Sequence, residues 1–299
     1  MNELTKKVLD AAKREGLDLI GIAPKSRFDG IEAEHNPFSI FPEGKSVILV
    51  GNRICRGALR GVEEGTNFGD YNLFGNKWLE DQFLSIACYG LVNAIEDEGW
   101  EAVPIFPNPT EVEPMGVAVA EGRPAPNVHP DFDYAAVACG LCEIGKNGLA
   151  LSPIYGSRQR FHMIITDAEL EPTPILEKSV CDGCGKCAKS CPLGAINTEE
   201  TEEIEICGKK MTVYKVDYEK CKVCKNGTLA NRFTKNGKPD RIAALCNRTC
   251  MCRLEENGVL SNKFENSFRK REAWALDAFG NYANTDDKEE IVGGCYTKK

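Results

Sequence analysis

No apolar run approaches the roughly 18 residues a bilayer-spanning helix needs, which argues against a membrane protein. Positive charge is in short supply. Thirty-seven Lys and Arg stand against 45 Asp and Glu, for a net charge of −8 and an isoelectric point near 5.2. Grip on a phosphate backbone is mostly electrostatic, so this balance argues against a nucleic-acid partner. Arg158, Arg160, Arg269, Lys270 and Arg271 are the candidates for a local basic patch, and a solvated surface is the simpler reading of each. No secretion signal is visible; MNELTKKVLDAAKREG has the spacing of an amphipathic helix instead. No internal repeat of solenoid period occurs. Fifteen cysteines without a secretion signal point to thiols in a reducing cytoplasm. Their odd number leaves at least one outside any disulfide scheme.

The chain is instead dominated by one short run, Cys181-Asp-Gly-Cys184-Gly-Lys-Cys187-Ala-Lys-Ser-Cys191-Pro192. The spacing C-x2-C-x2-C-x3-C-P is that of bacterial ferredoxins, whose thiolates hold [4Fe–4S] clusters and whose fourth cysteine serves a second cluster. Gly183 and Gly185 let the backbone lie close to sulfide, and Pro192 suits a helix start beyond Cys191. Zinc sites usually use two well-separated cysteine pairs, which four cysteines in eleven residues do not resemble.

A length of 299 residues suits two domains, and 42% hydrophobic content suffices for a buried core. Residues 4–15 predict a helix closed by Gly16, followed by a strand over Leu17 to Ala23. Ser46 to Gly51 and Phe161 to Thr166 read as strands, as does Glu101 to Phe106. Residues 55–75 read as a covering loop. Trp78 to Glu98 predicts the longest helix, with Phe83, Ile86, Ala87, Val92 and Ile95 near helical spacing. This alternation predicts an α/β front domain over residues 1–170, a sheet layered by helices. Residues 107–130 hold six prolines and read as a functional loop. Tyr134 to Ile144 reads as a short helix, and Glu171 to Lys178 as a linker. An α+β ferredoxin-like domain is expected over 171–280, with an acidic turn at Glu199 to Glu205, a hairpin through Lys210 to Asp217, a helix over 263–279, and a polar tail over 281–299.

Two clusters need eight thiolates. The late cysteines on offer are Cys207, Cys221, Cys224, Cys246, Cys250 and Cys252. One cluster would take Cys181, Cys184, Cys187 and either Cys250 or Cys252. The other would take Cys191, Cys221, Cys246 and either Cys224 or Cys250. A buried free thiol is the alternative for any one of them. Cys55, Cys88 and Cys295 read as plain thiols.

Upstream, Ala135 to Gly148 carries Gly140, Gly145 and Gly148, which allow close backbone approach to a flat ligand, beside Lys146 and Asn147. The succession A-x-x-x-G-L-x-x-x-G-K-N-G-L, L-x-P-x-Y-G-S-R, I-T-D and the cysteine run resembles epoxyqueuosine reductase and its relatives among the corrinoid iron–sulfur reductases, which include reductive dehalogenases. The matching residues include Gly140, Leu141, Gly145, Lys146, Asn147, Pro153, Gly156, Ser157, Thr166 and Asp167. The resemblance implies a nitroreductase-like layered front domain and two [4Fe–4S] clusters. It also implies a base-off cobalamin bordered by 140–148 and 153–158, so that Gly140, Gly145, Lys146, Asn147, Gly156 and Ser157 become cofactor-binding candidates. A D-x-H-x-x-G motif is absent, so no histidine lower ligand is expected. The family's acid lies a little before the glycines, which makes Asp131, Asp133 and Tyr134 the candidate proton donors; helix capping is the competing role for Asp131. A C-terminal helical-repeat domain is missing, and Cys139 and Cys142 fall inside the glycine motif as core thiols or a redox pair.

The implied function is an oxygen-sensitive cytoplasmic oxidoreductase. It would draw on a ferredoxin or flavodoxin-type donor and cleave a C–O or C–halogen bond in a small-molecule substrate. The alternatives are an electron-transfer protein or a reductive activator of a partner corrinoid protein.

Overall fold

The computed structural model describes residues 2–285. Its strands are β1 (Leu19–Pro24), β2 (Ser46–Arg53), β3 (Ala102–Ile105), β4 (Glu143–Ile144), β5 (Ala150–Leu151), β6 (Gln159–Thr166), β7 (Ile196–Ile206) and β8 (Lys209–Val216). Four of them form a sheet in the order β1–β2–β6–β3, and every neighbouring pair is antiparallel. The fold is thus mixed α/β with antiparallel sheets.

Strand side chains alternate between faces, and the sheet uses both. Ile48, Val50 and Ile164 face α1 (Glu3–Arg14) and α2 (Ser85–Glu96), meeting Val8, Ala11, Leu84 and Leu91. Val47, Leu49, Met163 and Ile165 face the other way, against Ala135 to Ala138 of α3 (Phe132–Ala138). Each such side chain contributes roughly 1.5–3 kcal/mol by leaving water. Gly21 of β1 is required by close approach: a Cβ there would fall 2.3 Å from the Cys139 carbonyl oxygen at the end of α3. At the start of α1, the Asn2 side chain accepts the Thr5 N–H at 2.8 Å.

The cysteine-bearing half packs directly on this sandwich. The hairpin β7–β8 lays Ile206, Met211 and Val213 on the α3 face. Helix α4 (Leu245–Glu256) places Met251 and Cys252 in an apolar cluster with Ile54, Leu59, Val62 and Phe268. Beside it, Glu63 is buried between Arg248 and Arg269. Burial alone would raise that carboxyl, but the two guanidinium groups outweigh it and hold it below its ordinary value.

Several local expectations are corrected. Glu199 to Glu205 is not a turn but part of β7, with Ile204 opposite Met211 and the glutamates mostly facing water. Residues 263–279 form no helix. Single anchors hold them instead: Phe268 in the core, and the Trp274 indole donating to the Val62 and Glu63 carbonyls at 3.0 Å. Residues 55–75 contain short helical turns. Residues 73–84 wind as π-helical turns before α2. That wider winding shifts the helix phase, so Phe83 and Ile86 face solvent while Leu84, Cys88, Leu91 and Ile95 are buried. The expected helix from Tyr134 stops at Ala138, and its continuation is β4.

Candidate functional site

The run Cys181–Cys191 is mostly irregular chain with a single helical turn, Lys186–Lys189. Gly183 and Gly185 adopt left-handed backbone, with φ of 70° and 72°, which a side chain would strain. Cys191 and Pro192 follow that turn instead of opening a helix. The loop is fixed from outside by Glu143 of β4. Its buried carboxylate accepts the Cys181 N–H at 2.6 Å, the Val180 N–H at 2.9 Å and the Ser179 hydroxyl at 3.1 Å, and lies 3.4 Å from the Lys209 ammonium. Glu143 was not among the sequence candidates; its only signal was an acid inside an apolar stretch.

Four cysteines, Cys181, Cys184, Cys187 and Cys250, line one cavity together with Lys146, Asn147 and Arg253. Burial, reinforced by Cys181 and Cys184, pushes the Cys187 thiol up to about 12. A second group is electrostatically linked. Burial raises Cys246 to about 12, with Arg241 opposing and Cys191, Cys187 and Cys224 adding; Cys221 rises to about 11, with Arg241 opposing and Cys191 and Cys224 adding. Cys246 and Cys250 are one turn apart on α4 and share a face. Cys252 lies about 200° round the helix from Cys250, in the apolar cluster with Leu59 and Phe268. Cys207 sits at the β7–β8 tip, 3.5 Å from the Arg27 carbonyl oxygen. Cys139, Cys142 and Cys88 are free thiols buried in the core, and Cys55 is exposed. Cys295 lies outside the described residues. Among the described residues, no group of three or more His, Cys, Asp or Glu is arranged to hold a metal ion.

The acid candidates separate clearly. Asp131 caps α3, its carboxylate accepting the Tyr134 N–H at 2.9 Å. Tyr134 turns away, donating its hydroxyl to the Arg27 carbonyl at 2.7 Å. Asp133 reaches solvent yet has protein packed densely around it. Burial, reinforced by Asp131, raises its carboxyl to about 6, while Lys238 and Arg241 pull it back. Arg241 in turn donates to the Asn147 carbonyl at 2.9 Å and lies over the Tyr218 ring at 5.2 Å. Buried Asn147 Nδ2 and Arg241 Nη1 have no hydrogen-bond partner.

Other residues of the glycine motifs are packed against protein. A Cβ at Gly140 would fall 2.1 Å from the Pro174 oxygen, and one at Gly145 2.5 Å from Leu151. Gly156 lies against Leu254, and Ser157 bonds Asn247 of α4 at 2.9 Å. Only Lys146 and Asn147 of the six cofactor candidates line the cysteine cavity.

Residues 174–197 match the family model of a 4Fe-4S binding domain, so an iron–sulfur protein is the class that this stretch supports. More particularly, the chain is similar to reductive dehalogenases and epoxyqueuosine reductases. It is 36% identical over 96 residues to a tetrachloroethene reductive dehalogenase of Desulfitobacterium hafniense, across 29% of this chain and 17% of that protein. It is 35% identical over 78 residues to the epoxyqueuosine reductase of Listeria monocytogenes, across 26% of this chain and 20% of that protein. The matched stretch thus spans a fifth or less of these relatives. A solved epoxyqueuosine reductase bound to an epoxyqueuosine-modified tRNA stem loop superposes with a TM-score of 0.45 and 18% identity, covering 64% of this chain and 52% of that one. No comparison bears out the expectation against a nucleic-acid partner. Among the described residues, no helix is long and apolar enough to cross a membrane.

Proposed function

We propose that this chain is an iron–sulfur oxidoreductase of the cytoplasm. It would take electrons from a ferredoxin or flavodoxin-type donor through two [4Fe–4S] clusters to a cobalamin, for reductive cleavage of a C–O or C–halogen bond. The observation that carries the reading is the cavity lined by Cys181, Cys184, Cys187 and Cys250. An all-thiol donor set with glycine backbone around it fits a cluster. Cys191, Cys221, Cys224 and Cys246 would hold the second, and Cys252 is left out as a core thiol.

Lys146, Asn147 and Arg241 are the residues that would hold the corrinoid. The orphaned Asn147 Nδ2 and Arg241 Nη1 fit a ring whose rim carries amide groups. When bound, cobalamin supplies a strongly reducing metal centre. Asp133 would hold the proton: with its carboxyl raised to about 6, part of it stays protonated near neutral pH. Arg241, facing both Asn147 and the second cysteine group, would fix the spacing between the clusters and the reaction site. A second reading is an electron-transfer protein or an activator of a partner corrinoid protein. It is favoured by the packing of Gly140, Gly156 and Ser157 against protein groups.

Purification without oxygen tests both. Iron and sulfide near eight each, with stoichiometric cobalt after cobalamin loading, support the first reading. The same iron with no cobalt uptake supports the second. Iron and sulfide near zero after reconstitution refute both. Turnover should then be assayed on a halogenated alkene and on an epoxyqueuosine-bearing stem loop.

A further inference from the structure

A separate cleft of about 510 Å³ shares no residue with the cysteine cavity. Its walls carry Arg53, Arg56, Arg60 and Arg158, with Asn262 and Phe264, and no carboxylate lines it. The acids that meet these arginines stand outside the lining; Asp18 and Glu64 have other partners as well, whereas Glu255 Oε1 is buried without one. Asp18 is 3.8 Å from Arg53, and Glu255 is 2.8 Å from Arg56. Glu64, 3.2 Å from Arg60, is shared with Arg271. Among the described residues no carboxylate lies within 4 Å of Arg158, although Glu255 is near enough to stabilise its charge. Arg158 is 1% exposed, donates to the Ile54 carbonyl and the Asn262 side chain at 2.9 Å each, and its Nε has no partner.

A buried guanidinium whose nearest carboxylate is already paired with another arginine is costly unless something compensates it. Four guanidinium forks round one space offer more N–H donors than the two oxygens of a single carboxylate can accept. A phosphate monoester presents three acceptor oxygens and a charge of about −1.5 to −2 at neutral pH. Phe264, whose ring lies 3.5 Å beneath the Arg56 guanidinium, fixes that fork and gives the cleft one apolar wall. We infer that this cleft binds a phosphate monoester, with the phosphate among Arg53, Arg56, Arg60 and Arg158 and the organic part along Phe264. The inference does not depend on the cofactor reading above.

Calorimetry on the full chain, prepared without oxygen and at constant ionic strength, tests it with inorganic phosphate, phenyl phosphate and benzoate. Phenyl phosphate should bind at least tenfold more tightly than benzoate. Arg56→Gln and Arg158→Gln should each lose at least tenfold in phenyl phosphate affinity. Phe264→Ala should weaken phenyl phosphate while leaving inorganic phosphate unchanged. Should Arg158→Gln fail to fold, Arg53→Gln, at a half-exposed position, should still weaken both phosphates several-fold. Equal binding of benzoate, or wild-type affinity in the arginine variants, would overturn the inference. So would an RNA stem loop that outcompetes phenyl phosphate, which would assign the cleft to nucleic-acid phosphodiesters.

Discussion

Replacing Glu143 by Ala should damage the first cluster site without touching a cysteine. The carboxylate is 3% exposed and takes two backbone N–H groups, from Val180 and Cys181, plus the Ser179 hydroxyl. A hydrogen bond to a charged acceptor contributes roughly 1.5–3 kcal/mol. Removal also leaves Lys209, whose side chain is only 11% exposed, facing no anion. Breaking a buried pair in this way costs about 3–5 kcal/mol, and we take that as the expected loss. Glu143→Gln keeps an acceptor for both N–H groups and loses only the charge, so it should cost about half as much. Equilibrium urea unfolding under anaerobic conditions measures the difference, with bound iron determined on the same samples. The reasoning fails if Glu143→Ala stays within about 0.5 kcal/mol of the parent and holds the same iron.

Cys250→Ser should lower bound iron to about half, whereas Cys252→Ala should leave it unchanged; iron and sulfide analysis separates the two, and equal losses would contradict the proposed ligand set. If Asp133 supplies the proton, turnover should fall as pH rises through about 6, and Asp133→Asn should flatten that limb of the pH–rate profile. Burial lowers His162 to about 4 from its ordinary 6.5, so the folded protein keeps it neutral while the unfolded chain takes up a proton. Its contribution is therefore complete above about pH 6.5 and lost as pH falls toward 4, by about 3 kcal/mol in all. Urea unfolding of His162→Phe across that window should show a correspondingly shallower decline.

The Cys181–Cys191 run was legible because its spacing is a local matter, carried within one loop. Which of Cys250 and Cys252 faces the other cysteines was not. It depends on the phase of α4, whose sequence LCNRTCMCRLEE has no apolar stripe to announce a helix. Asp131 and Asp133 could not be told apart either, since it is one hydrogen bond to Tyr134 N–H and the distant approach of Lys238 and Arg241 that make their surroundings differ. The four strands of the main sheet were found from their apolar runs, but their antiparallel order depends on long-range pairing that periodicity does not carry. In β7, a row of glutamates concealed a strand because water solvates its exposed edge. Over 263–279, aromatic spacing mimicked a helix that tertiary anchors made unnecessary.

Helix α4 also bears on how the protein is made. On the proposed ligand set, Cys181, Cys184 and Cys187 leave the ribosome about sixty residues ahead of Cys250. At about 5–20 residues per second, that is an interval of roughly 3–12 s. During it, a nascent chain would display three neighbouring thiols and no fourth. The second group would be just as incomplete, because Cys246 rides on the same late helix. Both sites would then close together, when one element docks. Cluster insertion would be gated by the arrival of that helix, and a ribosome stalled between these positions would present an open trap for stray metal and for oxidants.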